Sequence, residues 1–220
     1  MDSAAYRRLA ERTTLTCIVG FVEGGTVWMG GDSAGVGGYS LTVRADTKIF
    51  RNGPMLFGFT SSFRMGQLLR YALTIPDHDP RVDVDKYMAT TFIDAVRECL
   101  KSNGYARVVN GAEEGGTFLV AYQGRLFAVH DDYQVARSAD AFDAVGCGCD
   151  IAKGVLFATE HLSGAARANL ALRAAERCSA GVRAPFHIEA LGPDTVSPPT
   201  PTFPPNITIR EGDAPLNGVR

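Results

Sequence analysis

Residues 17 to 31 limit what this chain can fold into more than any other stretch. The runs "CIVGFV" and "TVWMGG" are rich in β-branched and aromatic residues, and Glu23, Gly24 and Gly25 between them supply turn chemistry. Two adjacent strands are therefore expected near the start of the chain. A second pair follows in "DTKIFR" and "MLFGFTS", separated by Asn52, Gly53 and Pro54. The periodicity then changes. Ser61 or Ser62 can cap a helix over "FRMGQLLRYAL", and a longer helix is expected at 84–102, where Tyr87, Met88, Phe92, Val96, Cys99 and Leu100 recur at three- and four-residue steps. Asn103-Gly104 ends that run. Strands resume in "GTFLVAYQGRLFAVHDD" and "FDAVGCG", two helices fit 150–162 and 164–178, and "APFHIEAL" reads as a last strand. Grouped strands alternating with grouped helices predict an α+β fold, satisfied by two sheets between two helical layers.

The chain of 220 residues is long enough for one well-buried domain, and a formal net charge of -2 gives no pull towards nucleic acid or anionic lipid. No nucleic-acid or membrane partner is expected. The opening "MDSAAYRRLAER" is polar where a secretory signal needs an apolar core, so a cytoplasmic location is expected. Five cysteines (Cys17, Cys99, Cys147, Cys149, Cys178) without an export signal read as reduced thiols. Seven of the eleven prolines lie beyond residue 191, which sets 191–220 apart as an extended, Pro-rich tail; "NIT" at 206–208 reads as a chance sequon.

The chemistry centres on "TTLTCIVGFVEGGTVWMGGDSAG", with Thr13, Thr14 and Thr16 as candidate nucleophiles. A threonine hydroxyl needs a base, and a free α-amine on the same residue can serve because it titrates near neutrality. A lysine held by an aspartate would add a fixed positive charge. Asp32 closes the second strand and Lys48 sits in the third, with sixteen residues from Thr16 to Asp32 and sixteen more to Lys48. Without a wider pattern, Asp32 and Lys48 read better as an ordinary ion pair.

The wider pattern exists. "TCIVGFVEGGTVWMGGDSAG", "TKIF" and "MLFGFTSS" resemble the opening of the proteasome β-subunits and the HslV protease, which are N-terminal-nucleophile (Ntn) hydrolases. "AVGCGCDIAKGVLFA" and "AAERCSAG" extend the resemblance to about residue 190. It implies a four-layer αββα sandwich. It places the nucleophile at Thr16, the orienting carboxylate at Asp32, the lysine at Lys48 and the oxyanion-binding backbone N–H at Ser61. Thr13 or Thr14 would need a bulge in the first strand, and Cys17 should point to the opposite face. The resemblance also divides the chain into a propeptide or extension (1–15), a hydrolase domain (16–190) and the tail (191–220). It implies peptide or protein substrates and a homo-oligomeric ring, and leaves an ATP-dependent unfoldase open as a partner. Three departures stand out: Cys147 replaces the serine beside the active site, Glu176 replaces an aspartate although Ser179 keeps the nearby hydroxyl, and Leu15 replaces the glycine before the nucleophile. A small-molecule amidase on the same fold and a non-catalytic assembly subunit therefore stay open as alternatives.

No cofactor or metal is read from the sequence. Cys147 and Cys149 form a C-x-C without a second cysteine pair or a histidine at ligand spacing, and are expected in a buried turn. His130 with Asp131 and Asp132 reads as a solvated strand end, and His161 and His187 lack partners in the sequence. "GGDSAGVGGYS" lacks the lysine of a phosphate loop and is expected to line the substrate site.

Overall fold

The computed structural model describes residues 15–37 and 40–193. Thr13, Thr14, most of the expected extension, the sequon and nearly all of the Pro-rich tail lie outside the described residues. The first hairpin is β1 (Ile18–Glu23) and β2 (Thr26–Gly31), turned at Gly24 and Gly25, both at positive φ. The short ribbon β3 (Ala34–Gly37) and β4 (Ser40–Val43) follows, then β5 (Ile49–Asn52) and β6 (Met55–Phe59). Helix α1 (Phe63–Tyr71) starts at Ser62, whose hydroxyl accepts the Arg64 N–H. Helix α2 begins at Val84–Tyr87, widens into a π-helical turn at Met88–Phe92 and continues as Ile93–Ser102. Asp83 caps its start, accepting the N–H groups of Asp85 and Lys86.

A second ribbon, β7 (Arg107–Val109) and β8 (Ala112–Glu114), turns at Asn110-Gly111. Then come β9 (Phe118–Tyr122), β10 (Arg125–Val129), β11 (Val135–Ala136) and β12 (Phe142–Val145). Helices α3 (Cys149–Ala158) and α4 (Gly164–Cys178) and strand β13 (His187–Leu191) complete the fold. Helix α3 stops four residues before the end expected at 162. Thr159 turns its hydroxyl back to Val155 O (2.6 Å) and its backbone leaves helical geometry at φ -121°. Glu23 of the first turn accepts the Gly164 N–H (3.0 Å), so the β1–β2 hairpin also fixes where α4 begins.

One sheet has the order β12-β1-β2-β13 and the other β11-β10-β9-β6-β5, with every pairing antiparallel. Alternation along β1 sends Cys17, Val19 and Phe21 to α3 and α4, and Ile18 to the second sheet. Along β6, Met55, Phe57 and Phe59 face α1 and α2, while Leu56 meets the first sheet. These contacts define four layers, helices on sheet on sheet on helices. Gly58 lets the sheets close: a Cβ there would lie 2.6 Å from Ile18 Cγ2 and 2.7 Å from Met29 Sδ.

Phe57 is fully buried and sits among Phe50, Phe92 and Phe118 at centroid distances of 5.4, 6.2 and 6.0 Å. Phe57→Ala is expected to cost about 3–5 kcal/mol through lost burial and a residual cavity. Urea unfolding should show a lower midpoint with an unchanged slope.

Candidate active site

Thr16 precedes β1, and its side chain takes the same side as Ile18, at the open end of the cleft between the sheets. Asp32 follows β2 and its N–H donates to Cys17 O (3.3 Å), which sets it beside the start of β1. Lys48 directly precedes β5 and is tied to the end of β6 by Phe59 N–H donating to Lys48 O (3.1 Å). Three separate strand ends thus meet at one point. The residues Thr16, Asp32 and Lys48 are 3%, 0% and 3% exposed.

The Thr16 hydroxyl donates to Asp32 Oδ1, Lys48 Nζ donates to Thr16 Oγ1, and Lys48 Nζ also reaches Asp32 Oδ1 at 2.8 Å. The carboxylate is held by three backbone donors: Cys17 N at 3.0 Å, Ala34 N at 2.9 Å and Arg183 N at 3.2 Å. Burial holds the Lys48 ammonium below its ordinary pKa, although Asp32 pulls it back up. Cys17 is the opposite case. Its side chain packs under α3 and α4, and burial first and Asp32 second push the thiol pKa upward, which suppresses the nucleophilic thiolate.

The carbonyl of Thr16 is clasped by the turn between β12 and α3. Gly148 N–H donates to it at 3.3 Å and the Cys147 thiol at 3.4 Å. Cys147 Sγ also lies 3.0 Å from Ser179 Oγ, so these two residues meet beside the threonine. The turn requires Gly146, which has φ +100° and whose Cβ would fall 2.3 Å from Thr16 O. Cys147 is exposed and Cys149 half-buried, so the C-x-C does not form the buried turn expected from sequence. Glu176 points elsewhere: Oε1 accepts the Ala184 N–H at 2.9 Å and lies 4.0 Å from Arg183 Nη1. It braces the loop that delivers the Arg183 N–H to Asp32.

Leu15, Thr16, Lys48 and Ser61 line a cavity of about 100 Å³, together with Ala34 and Val36 of the Gly-rich ribbon. Ser61 has φ +55°, a conformation suited to glycine, and its side chain anchors the turn by accepting Thr117 N–H at 2.9 Å. The Ser61 N–H donates to Thr60 Oγ1. Thr60 was missed in the sequence, although it lies within the "FTSS" stretch and is buried in the same cavity wall. His130 closes a tight turn through Tyr133 N–H and Gln134 O. Among the described residues, no cluster of three metal-binding side chains occurs and no helix is long and apolar enough to cross a membrane.

No protein-family model and no curated protein matches the chain. Solved structures do. BPH of Thiobacillus denitrificans, in complex with epoxomicin, superposes with a TM-score of 0.68 at 21% identity, over 83% of this chain and 100% of its own. Eukaryotic HslV from Trypanosoma brucei gives 0.58 at 19%, over 80% and 98%. Anbu from Pseudomonas aeruginosa, solved as a helical assembly, gives 0.56 at 14%, over 80% and 80%. The architecture is therefore the α+β sandwich fold of these proteasome- and HslV-like structures.

The depressed Lys48 pKa gives a signed pH effect. Between the lowered native value and the ordinary 10.5, the unfolded chain holds more protons on Lys48 than the native one, so stability rises with pH. Lys48→Met removes that contribution. The parent's unfolding free energy minus the variant's is expected to grow as pH climbs from about 7 towards 10.5 in urea titrations. A flat difference would mean that Lys48 is not depressed.

Proposed function

We propose that this chain is an N-terminal threonine hydrolase that cleaves peptide bonds once the Leu15–Thr16 bond has been cut. The observation that carries this reading is the closed triangle of Thr16 hydroxyl, Lys48 ammonium and Asp32 carboxylate on the wall of the cavity. Leu15 lines that same cavity. Its removal both frees the Thr16 α-amine and opens the space a substrate acyl group needs.

In the processed chain, Thr16 Oγ1 attacks the substrate carbonyl carbon while its proton passes to the Thr16 amine. Collapse of the tetrahedral adduct breaks the C–N bond, and the leaving amine takes that proton. An ester on Thr16 remains. Water, deprotonated by the same amine, then attacks the ester and restores the hydroxyl. Lys48 supplies positive charge beside Oγ1 as it becomes alkoxide-like, and Asp32, fixed by three backbone N–H groups, orients Lys48. Gly148 and Cys147 hold the Thr16 carbonyl, with Ser179 against the Cys147 thiol, and so fix the direction of the amine.

We also infer that the chain self-assembles, with a ring as the expected form and protein segments as substrates. Support comes from the likeness to Anbu, solved as a helical assembly. An ATP-dependent unfoldase is the partner such a chamber would require for folded substrates.

Intact mass and N-terminal sequencing of the purified protein test the processing step, with a chain beginning at Thr16 expected. Thr16→Ala should lower turnover of peptide amides by at least about 10⁴-fold while leaving a cooperative unfolding transition. Undiminished turnover in that variant would remove the proposal.

A further inference from the structure

The hydroxyl of Thr60 has one donor and two acceptor positions, and one acceptor position is taken by the Ser61 N–H. Thr60 is 3% exposed and lines the cavity that holds Thr16 and Lys48. Among the described residues, nothing accepts the Thr60 hydroxyl proton. A buried donor with no acceptor is costly, and a substrate oxygen placed in the cavity is the group that would satisfy it.

We propose that Thr60 is a catalytic residue: its hydroxyl, polarised by the Ser61 N–H behind it, donates to the oxyanion formed when Thr16 attacks an acyl substrate. This rests on the threonine-hydrolase reading and changes one part of it. The sequence pattern assigns the oxyanion to the Ser61 N–H directly, whereas here that N–H is directed at Thr60 Oγ1. A donor that itself accepts an N–H bond is a stronger donor, so the two groups act in series. The unit is held rigidly. Thr60 N–H donates to Thr117 O (3.1 Å), Thr117 N–H to Ser61 Oγ (2.9 Å), and Ser62 N–H to Thr60 O (2.6 Å). Such preorganisation favours the charged adduct over the neutral carbonyl, so the effect belongs in kcat.

The relay makes Thr60 distinct from a residue that merely shapes the pocket. Valine matches threonine in volume and branching and lacks only the hydroxyl, while serine keeps the hydroxyl and loses a methyl group. The full-length gene is expressed with a site-specific protease site placed before residue 16, so that cutting there does not depend on the variant, and peptide-amide turnover is compared for the parent, Thr60→Val, Thr60→Ala, Thr60→Ser and Thr16→Ala. Binding of a peptide boronate, which forms a tetrahedral adduct with a nucleophilic hydroxyl, is measured by isothermal titration for each. Thr60→Val is expected to lower kcat by about 10²–10³-fold with KM within about threefold, and to weaken boronate binding by a similar factor. Thr60→Ala should follow it, which guards against a valine that does not fold. Thr60→Ser should stay within about tenfold of the parent. If turnover depends on Thr16 but is unchanged in Thr60→Val or Thr60→Ala, or if Thr60→Ser falls as far as they do, the relay is overturned and the hydrolase reading stands. If neither turnover nor boronate binding depends on Thr16, both are overturned.

Discussion

The buried carboxylate of Asp32 is the point on which the rest depends. An isolated charge with no exposure would be prohibitively costly in a protein interior, and here it is compensated by the Lys48 ammonium and by backbone N–H groups from residues 17, 34 and 183. Those donors come from the start of β1, the ribbon after β2 and the loop before β13. Satisfying one carboxylate therefore requires the ends of several strands to be in place together. Replacing the pair by apolar groups could serve stability as well, so its retention fits a role in charge placement better than one in stability.

The sandwich supplies the setting for that charge. Two antiparallel sheets pack face to face, and at the open end of the gap between them Thr16, Lys48 and the Thr60-Ser61-Ser62 turn line the cavity. Glycines at 58 and 146 allow two close approaches, one between the sheets and one between the β12–α3 turn and the Thr16 carbonyl. The first gives the cleft its tightness. The second fixes the backbone of the residue proposed as nucleophile, because Gly148 and Cys147 hold its carbonyl in one direction. In such a low-dielectric, rigid setting, oriented donors act more strongly than they would in water.

The departures from the proteasome-like pattern acquire physical content once the contacts are known. Cys147, where the resemblance implies a serine, bridges the Thr16 carbonyl and Ser179 with a thiol, a weaker donor than a hydroxyl. Glu176 turns to the loop at Ala184, so its influence on Thr16 passes through that loop and Asp32. Ser61 adopts a glycine-like conformation but gains an anchor that glycine cannot make, the bond from Thr117.

The local elements are legible in the sequence: both leading hairpins, the helix that follows Ser61-Ser62, the long helix ending at Asn103 and the grouping of strands and helices. Alternation and turn residues act over a few positions, and such signals are readable without a partner. The resemblance to the proteasome β-subunits and HslV, not the spacing alone, singles out Thr16, Asp32 and Lys48, whose side chains converge. The π-helical turn in α2 and the ribbon at 107–114 were not read. The first adds one residue to a helical turn without altering the apolar face, and the second is short and largely exposed, so neither leaves a strong hydrophobic period. The direction of Glu176, the exposure of Cys147 and the bond from the Ser61 N–H to the Thr60 hydroxyl emerge only from the folded chain. Those outcomes depend on hydrogen bonds between segments up to more than a hundred residues apart, and no local pattern encodes which donor a given oxygen will meet.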